Sequence, residues 1–263
     1  MFYFCANIGS VSTDNKTNLK QLLTTIPNNV VITSKYLTAM GFSHDLQKSY
    51  ERNGWIKRLS QGAYLKLDEK NDINGAIFAL QSQLNLSIHI AANTALNNFY
   101  GITHNIGFRN KQQLFGYRGE KLPKWFKNLY ENDIEFNCTT FLPENLGMID
   151  YNIGNFNIKI PTLERAILEM IYLVPDRFTI NEAYQYIELL TTVKPKEFQK
   201  LLENCTSIKV KRLFLYIVDT IGHPWLKRLE LAKINLGKGV REITKGGSYN
   251  SKYNTIIGYI EGI

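Results

Sequence analysis

The chain has few cysteines: three in 263 residues, namely Cys5, Cys138 and Cys205. They are far apart, odd in number and not arranged as Cys-x-x-Cys pairs, which argues against a disulfide framework and against a zinc site. The sequence also lacks an apolar run of membrane-spanning length, and its apolar residues 1–6 are too few for a signal peptide. We therefore expect a soluble protein of the cytoplasm with no membrane partner.

Familiar catalytic motifs are missing as well: there is no P-loop, no GxGxxG after a strand, no HExxH and no GxSxG. The four histidines have no metal-ligand spacing. We expect no enzyme activity, no cofactor and no metal site. A nuclease linked to a DNA-binding domain stays an alternative, since Asp133, Glu135 and Asp150 could gather round a metal. However, no Glu-x-Lys lies on a predicted strand.

Positive charge is present in excess, +8 overall, and it is unevenly distributed. Residues 1–70 carry nine Lys or Arg against five Asp or Glu, and residues 207–263 carry ten against four. Residues 71–160 carry seven of each, and residues 161–206 carry five against seven. Cations at both ends favour a polyanionic partner, because binding to phosphates releases counterions. On charge alone, a merely basic soluble protein is the alternative.

The N-terminal region shows the order of a winged helix-turn-helix, within an α+β fold. A first helix is predicted from helical spacing that Pro27 ends, and its apolar residues are Leu19, Leu22, Leu23 and Ile26. Thr33 or Ser34 can cap a second helix that ends at Gly41. Ser43 can cap a third that ends at Gly54. Residues 55–59 and 63–67 then read as a hairpin, here called the wing. A small α+β subdomain that binds protein is the alternative.

The third helix is the candidate recognition helix. If Leu46 and Tyr50 are buried, helical geometry turns His44, Gln47, Lys48 and Glu51 outward, with Arg52 at the side. Helices of this kind present their outward residues to base edges in the major groove. Gln pairs with adenine, and Lys reaches guanine or a phosphate. The start of the second helix and the wing suit the phosphate backbone. The predicted DNA-binding residues are Thr33, Ser34, Lys35, His44, Gln47, Lys48, Arg52, Lys57, Arg58 and Gln61. For each of them, a solvated surface residue is the alternative.

The winged helix is predicted over residues 10–70, and a larger mixed α/β domain over 75–263, with a possible boundary inside it near 161. The second domain contains another basic cluster, predicted at Lys209, Lys211, Arg212, Arg241 and Lys245. Cations at a helix start are unfavourable unless an anionic partner compensates them. This cluster could extend the DNA footprint or meet another partner. A solvated helix start and loop is the alternative.

Short runs across nearly the whole chain occur in the order known from one protein family. They are Gly54–Leu59, Gly62–Tyr64, Ala91–Leu96, Tyr100-Gly101, Thr162–Glu169, Lys209–Leu215, Leu236-Gly237, Lys245–Tyr249 and Lys252-Tyr253. In these runs the chain resembles the AbiEi family, the antitoxins of AbiE-type (type IV) toxin–antitoxin systems.

The resemblance implies a bacterial repressor that binds inverted repeats in its own promoter through the winged helix. It implies that the protein counteracts a cognate nucleotidyltransferase toxin without forming a stable complex with it. The C-terminal domain would serve antitoxicity and cooperative binding to DNA by a protein that is monomeric in solution. The acidic Glu51 on the candidate recognition helix is a departure. The operator sequence and affinity therefore cannot be taken from the family.

Overall fold

The computed structural model describes residues 20, 22, 24–103 and 111–258. At the N-terminal end, Lys20, Leu22, Thr24 and Thr25 are helical, as predicted for the first helix. Leu19 and Leu23 lie outside the described residues, as do residues 10–18 of the predicted winged-helix domain.

A helix pair and a hairpin follow, in the predicted order. They are β1 (Ile32–Thr33), α1 (Ser34–Ala39), α2 (His44–Arg52), β2 (Ile56–Ser60) and β3 (Ala63–Lys66). The wing is the hairpin β2–β3, and β3 also pairs with β1, so the three strands form one antiparallel sheet.

Local side-chain chemistry explains where these helices begin. The Thr33 hydroxyl accepts a hydrogen bond from the Tyr36 amide, and the Ser43 hydroxyl accepts one from the Leu46 amide. Each bond satisfies a free amide in the first turn of its helix. Gly62, at φ 86°, supplies the left-handed turn of the wing. The predicted caps and the predicted hairpin are confirmed.

The middle of the chain adds a second small sheet and a further hairpin. Its elements are α3 (Ile73–Phe78), a π-helical turn (Ala79–Gln83), β4 (His89–Ile90), α4 (Ala92–Tyr100), β5 (Gln112–Tyr117), α5 (Lys124–Tyr130), β6 (Ile134–Thr139), β7 (Met148–Asn152) and β8 (Asn157–Pro161). In the sheet β4-β5-β6, β5 is antiparallel to β4 and parallel to β6. The hairpin β7–β8 is antiparallel.

The last third is mainly helical and ends in short strands. Its elements are α6 (Leu163–Tyr172), α7 (Ile180–Glu188), α8 (Pro195–Asn204), α9 (Ile208–Ile221), 3-10 turns at Pro224–Arg228 and Leu231–Lys233, β9 (Arg241–Glu242), β10 (Ser248–Asn250) and β11 (Thr255–Ile257). These elements complete a mixed α/β structure and confirm the α+β class. Within the described ranges, no helix has both the length and the apolar character needed to cross a membrane. The domain boundaries stay predictions.

Helix α6 lies at the centre of this part and packs against α4, α7, α8 and α9. Its Glu169 is fully buried, 2.9 Å from His89 Nε2 and 2.8 Å from Arg165 Nε. Burial alone would raise the pKa of Glu169, but His89 and Arg165 hold it below its usual value. Arg165 also donates to the carbonyl oxygens of Pro143, Glu144 and Leu146. This network ties α6 to β4 and to the loop before β7.

Candidate nucleic-acid interface

The outer face of α2 is open to solvent, as predicted for a recognition helix. His44, Lys48 and Arg52 are all exposed, whereas Tyr50 is buried beneath the helix. Lys48 Nζ lies 3.5 Å from Asp45 Oδ1, and the two side chains are 68% and 95% exposed. An ion pair this exposed is weak and is screened by salt. The Lys48 ammonium can therefore leave Asp45 and bind a DNA phosphate instead.

Gln47 does not face outward, and the prediction that it reads bases directly is wrong. Its side chain is 1% exposed and lies inside the turn between α1 and α2. Gln47 Nε2 donates to the Phe42 carbonyl at 2.8 Å and to Thr38 Oγ1 at 3.2 Å, while Oε1 accepts from Ser34 Oγ at 2.6 Å. These hydrogen bonds of the Gln47 amide hold α1 and α2 together. Helical spacing alone does not reveal this, because it shows which positions share a face but not what covers that face.

Thr33 is also buried, at 2% exposure, so its predicted contact with DNA is a second correction. Its hydroxyl caps α1, and its amide donates to Gln83 Oε1 at 2.8 Å. Ser34 is partly exposed and its hydroxyl already binds Gln47. At the start of α1, Lys35 is the exposed cation.

The wing presents cations on its edge strand. Lys57 and Arg58 lie on β2, Gln61 lies at the turn, and all three are exposed. Neither Lys57 nor Arg58 forms an ion pair with a carboxylate of the described residues. The wing therefore carries positive charge that no described acidic group neutralises.

The predicted C-terminal basic cluster is not a surface patch, which is the third correction. Lys211 and Arg212 are 3% and 2% exposed. Arg212 donates to the carbonyl oxygens of Leu236 and Asn254, both at 2.7 Å, and of Gly239 at 2.8 Å and Gly237 at 3.2 Å. Burial lowers the pKa of Lys211 and of Arg212. Arg212 thus holds the C-terminal segment against α9.

Lys209 has a similar structural use. Its ammonium donates to the carbonyl oxygens of Tyr172 at 2.7 Å and Val174 at 2.6 Å, where α6 ends. Carbonyl oxygens at a helix C-terminus attract a cation. The two carbonyl oxygens at the end of α6 therefore compensate the charge of Lys209, for which the sequence had suggested an anionic partner. Burial lowers the pKa of Lys209. Of the predicted cluster, Arg241 and Lys245 are exposed.

A signal for this burial is visible in the sequence of α9. Apolar residues predominate in 208–221 and occupy most of the helix surface apart from one polar side, which is typical of a helix largely enclosed by the protein. Cations in such a helix need internal acceptors.

The carboxylates considered for a nuclease do not come together. In the described part of the chain, no three His, Cys, Asp or Glu side chains are close enough to hold a metal ion. Glu135 instead accepts a hydrogen bond from Gln113 Nε2 at 2.9 Å and lies 3.6 Å from Arg177 Nε. Asp133, Glu135 and Asp150 therefore do not form the predicted alternative site.

A helix-turn-helix beside a cationic wing is typical of transcriptional regulators. Two family models match the chain. Residues 15–108 match the "Transcriptional regulator, AbiEi antitoxin N-terminal domain", and residues 109–257 match the "Transcriptional regulator, AbiEi antitoxin, Type IV TA system". The chain therefore belongs to the AbiEi family of transcriptional regulators, the antitoxins of type IV toxin–antitoxin systems. The resemblance found in the sequence is confirmed.

The fold is also similar to a solved structure, the crystal structure of the RV2827C protein from Mycobacterium tuberculosis. The two share a TM-score of 0.52 at 14% identity, over 91% of this chain and 89% of that chain. At this identity the likeness concerns the fold alone. A comparison with curated proteins finds no match.

Proposed function

We propose that this AbiEi protein represses transcription by inserting α2 into the major groove of duplex DNA at inverted repeats in its own promoter. The observation that carries the proposal is the exposed face of α2 beside the unneutralised cations of the wing. A helix of this kind reads bases with its outward side chains, while flanking cations fix its position on the phosphates.

The contacting residues in this proposal are those that the surface exposes: Ser34, Lys35, His44, Lys48, Arg52, Lys57, Arg58 and Gln61. Gln47 and Thr33 act indirectly, because they fix the angle between α1 and α2 and so the direction of the recognition helix. Asp45 repels nearby phosphates, so α2 must gain its affinity from well-placed contacts rather than from charge alone.

We further propose a toxin partner, since the chain belongs to an antitoxin family. The partner is a nucleotidyltransferase encoded beside this gene, counteracted in the cytoplasm without a stable complex. The protein is a monomer in solution and binds repeated half-sites cooperatively. Arg241 and Lys245 are the residues of the C-terminal cluster that are exposed enough to serve antitoxicity or a DNA contact.

A fluorescence-anisotropy titration against the gene's upstream region tests DNA binding, with a scrambled duplex for comparison. The double variant Lys57→Ala/Arg58→Ala should lower the slope of log affinity against log salt by about 2, since each lost phosphate contact removes about one unit. The control is Lys196→Ala/Lys227→Ala, which removes one exposed charge from α8 and one from the 3-10 turn at Pro224–Arg228.

Each alternative function has its own outcome in this experiment. Absence of salt-dependent binding to either duplex would indicate a protein-binding module, and cleavage on addition of magnesium would indicate a nuclease. Preference for the upstream region over the scrambled duplex supports an operator. Co-expression with a nucleotidyltransferase encoded by an adjacent gene tests antitoxicity. Restored growth of cells that express this toxin would support the antitoxin role.

A further inference from the structure

We propose that α5 (Lys124–Tyr130) extends the DNA interface beyond the helix-turn-helix, with Lys124 and Lys127 binding phosphates beside the wing. This inference rests on the proposed function. It concerns a helix that belongs to the second family match, residues 109–257, whereas the wing belongs to the first. The interface would therefore cross from one matched region into the other.

Helix α5 is held against the N-terminal region by specific contacts. It packs on the edge strand β2, and Asn128 Nδ2 donates to Ser60 Oγ at the end of that strand, at 3.2 Å. At the C-terminal end of α5, the Tyr130 hydroxyl donates to Asn71 Oδ1 at 2.8 Å. One hydrogen bond to the wing, one to the segment that follows it and packing on β2 fix the helix beside the wing, so its surface moves with the wing.

The side chains of α5 divide into a buried face and a cationic one. Trp125, Phe126 and Tyr130 are buried, whereas Lys124 and Lys127 are exposed. Lys124 precedes Asn128 by one helical turn, about 6 Å along the axis, and therefore shares the face that meets the wing. Neither lysine forms an ion pair with a carboxylate among the residues that the structure describes.

Together with Lys57 and Arg58 on β2, these lysines make a group of four exposed cations on two elements that pack together. Duplex DNA carries about one charge per 1.7 Å of its axis, so its backbone can engage such a group over several phosphates. A lysine binds a phosphate as a point charge without reading sequence. The proposed role of α5 is thus to add affinity and to fix position, not to choose bases.

The test uses the full-length double variant Lys124→Ala/Lys127→Ala in the anisotropy titration, beside Lys196→Ala/Lys227→Ala as the charge-matched control. We expect the salt slope to fall by about 2 and affinity at moderate salt to fall by at least about fivefold. The loss should be equal on upstream and scrambled duplexes, whereas the control variant should keep both values. Lys124→Gln/Lys127→Gln, which keeps an unbranched polar side chain of similar helix propensity without the charge, should show the same loss.

Three results would overturn the inference. An unchanged salt slope in both α5 variants, beside a clear loss in Lys57→Ala/Arg58→Ala, rejects the role of α5 and leaves the proposed function standing. An equal loss in the control variant would show an effect of net charge rather than local contacts. If the unmodified protein binds neither duplex, both this inference and the proposed function are rejected.

Discussion

The cations of the wing and those of α9 lie in opposite environments. Lys57 and Arg58 are exposed and have no ion pair with a described carboxylate. Lys211 and Arg212 are buried, and Arg212 donates to four backbone carbonyl oxygens. The comparison teaches that a cluster of basic residues is available to a polyanion only if the fold leaves it without internal acceptors.

The difference also separates two kinds of energetic contribution. A charged group in water is already solvated, so its removal changes stability little and changes long-range attraction to DNA more. A buried guanidinium that donates to several backbone carbonyl oxygens holds two segments of the chain together, so its removal breaks all of these hydrogen bonds at once. The following substitutions sharpen this contrast, from the largest expected effect on stability to the smallest.

Arg212→Ala should lower the free energy of unfolding by about 3–5 kcal/mol, because it removes four charge-assisted hydrogen bonds between α9 and the C-terminal segment. Urea denaturation followed by circular dichroism measures the change. Arg241→Ala is the matched control: its side chain is exposed, and its effect should stay within about 0.5 kcal/mol. Equal effects of the two substitutions would contradict the structural assignment of Arg212.

Gln47→Ala should lower the free energy of unfolding by about 1–3 kcal/mol, because the Phe42 carbonyl and the Ser34 hydroxyl lose a buried hydrogen-bond partner. Since the amide fixes the angle between α1 and α2, affinity for the upstream region should also fall, even in protein that is fully folded. Denaturation gives the first value, and titration at a temperature well below unfolding gives the second. If the variant keeps both its stability and its affinity for the upstream region, Gln47 does not position the recognition helix.

Lys48→Ala should change stability by less than about 0.5 kcal/mol, because its pair with Asp45 is exposed. Operator affinity should fall, and the salt slope should decrease by about 1. Asp45→Asn provides the opposite test, since removal of a negative charge from the same face should raise affinity. If neither substitution alters binding, α2 does not face DNA as proposed.

The sequence predicts the N-terminal elements well because their signals are local. Thr33 and Ser43 cap helices through amides three residues away, and Gly62 makes the wing turn with its own backbone. The strand β4 depends instead on residues that are distant in sequence. His89 and Ile90 are strand residues because Phe115 and Leu114, distant in sequence, pair with them.

The site was predicted less completely. Exposure of Lys48 follows from the helical spacing of α2, whereas burial of Gln47 depends on the turn that folds over it. The position of α5 beside the wing has no counterpart in the local pattern, since residue 128 meets residue 60 across a long stretch of chain.

The sequence by itself determined the family, the order of helices and strands in the N-terminal region, and the presence of basic residues near both ends of the chain. Each of these depends on residue types and on spacings of a few positions, which act through local hydrogen bonds and periodicity. Only the tertiary structure decided which cations meet solvent and which meet carbonyl oxygens. The accessibility of a side chain is set by distant segments that pack over it, as residues 236–254 do over Arg212.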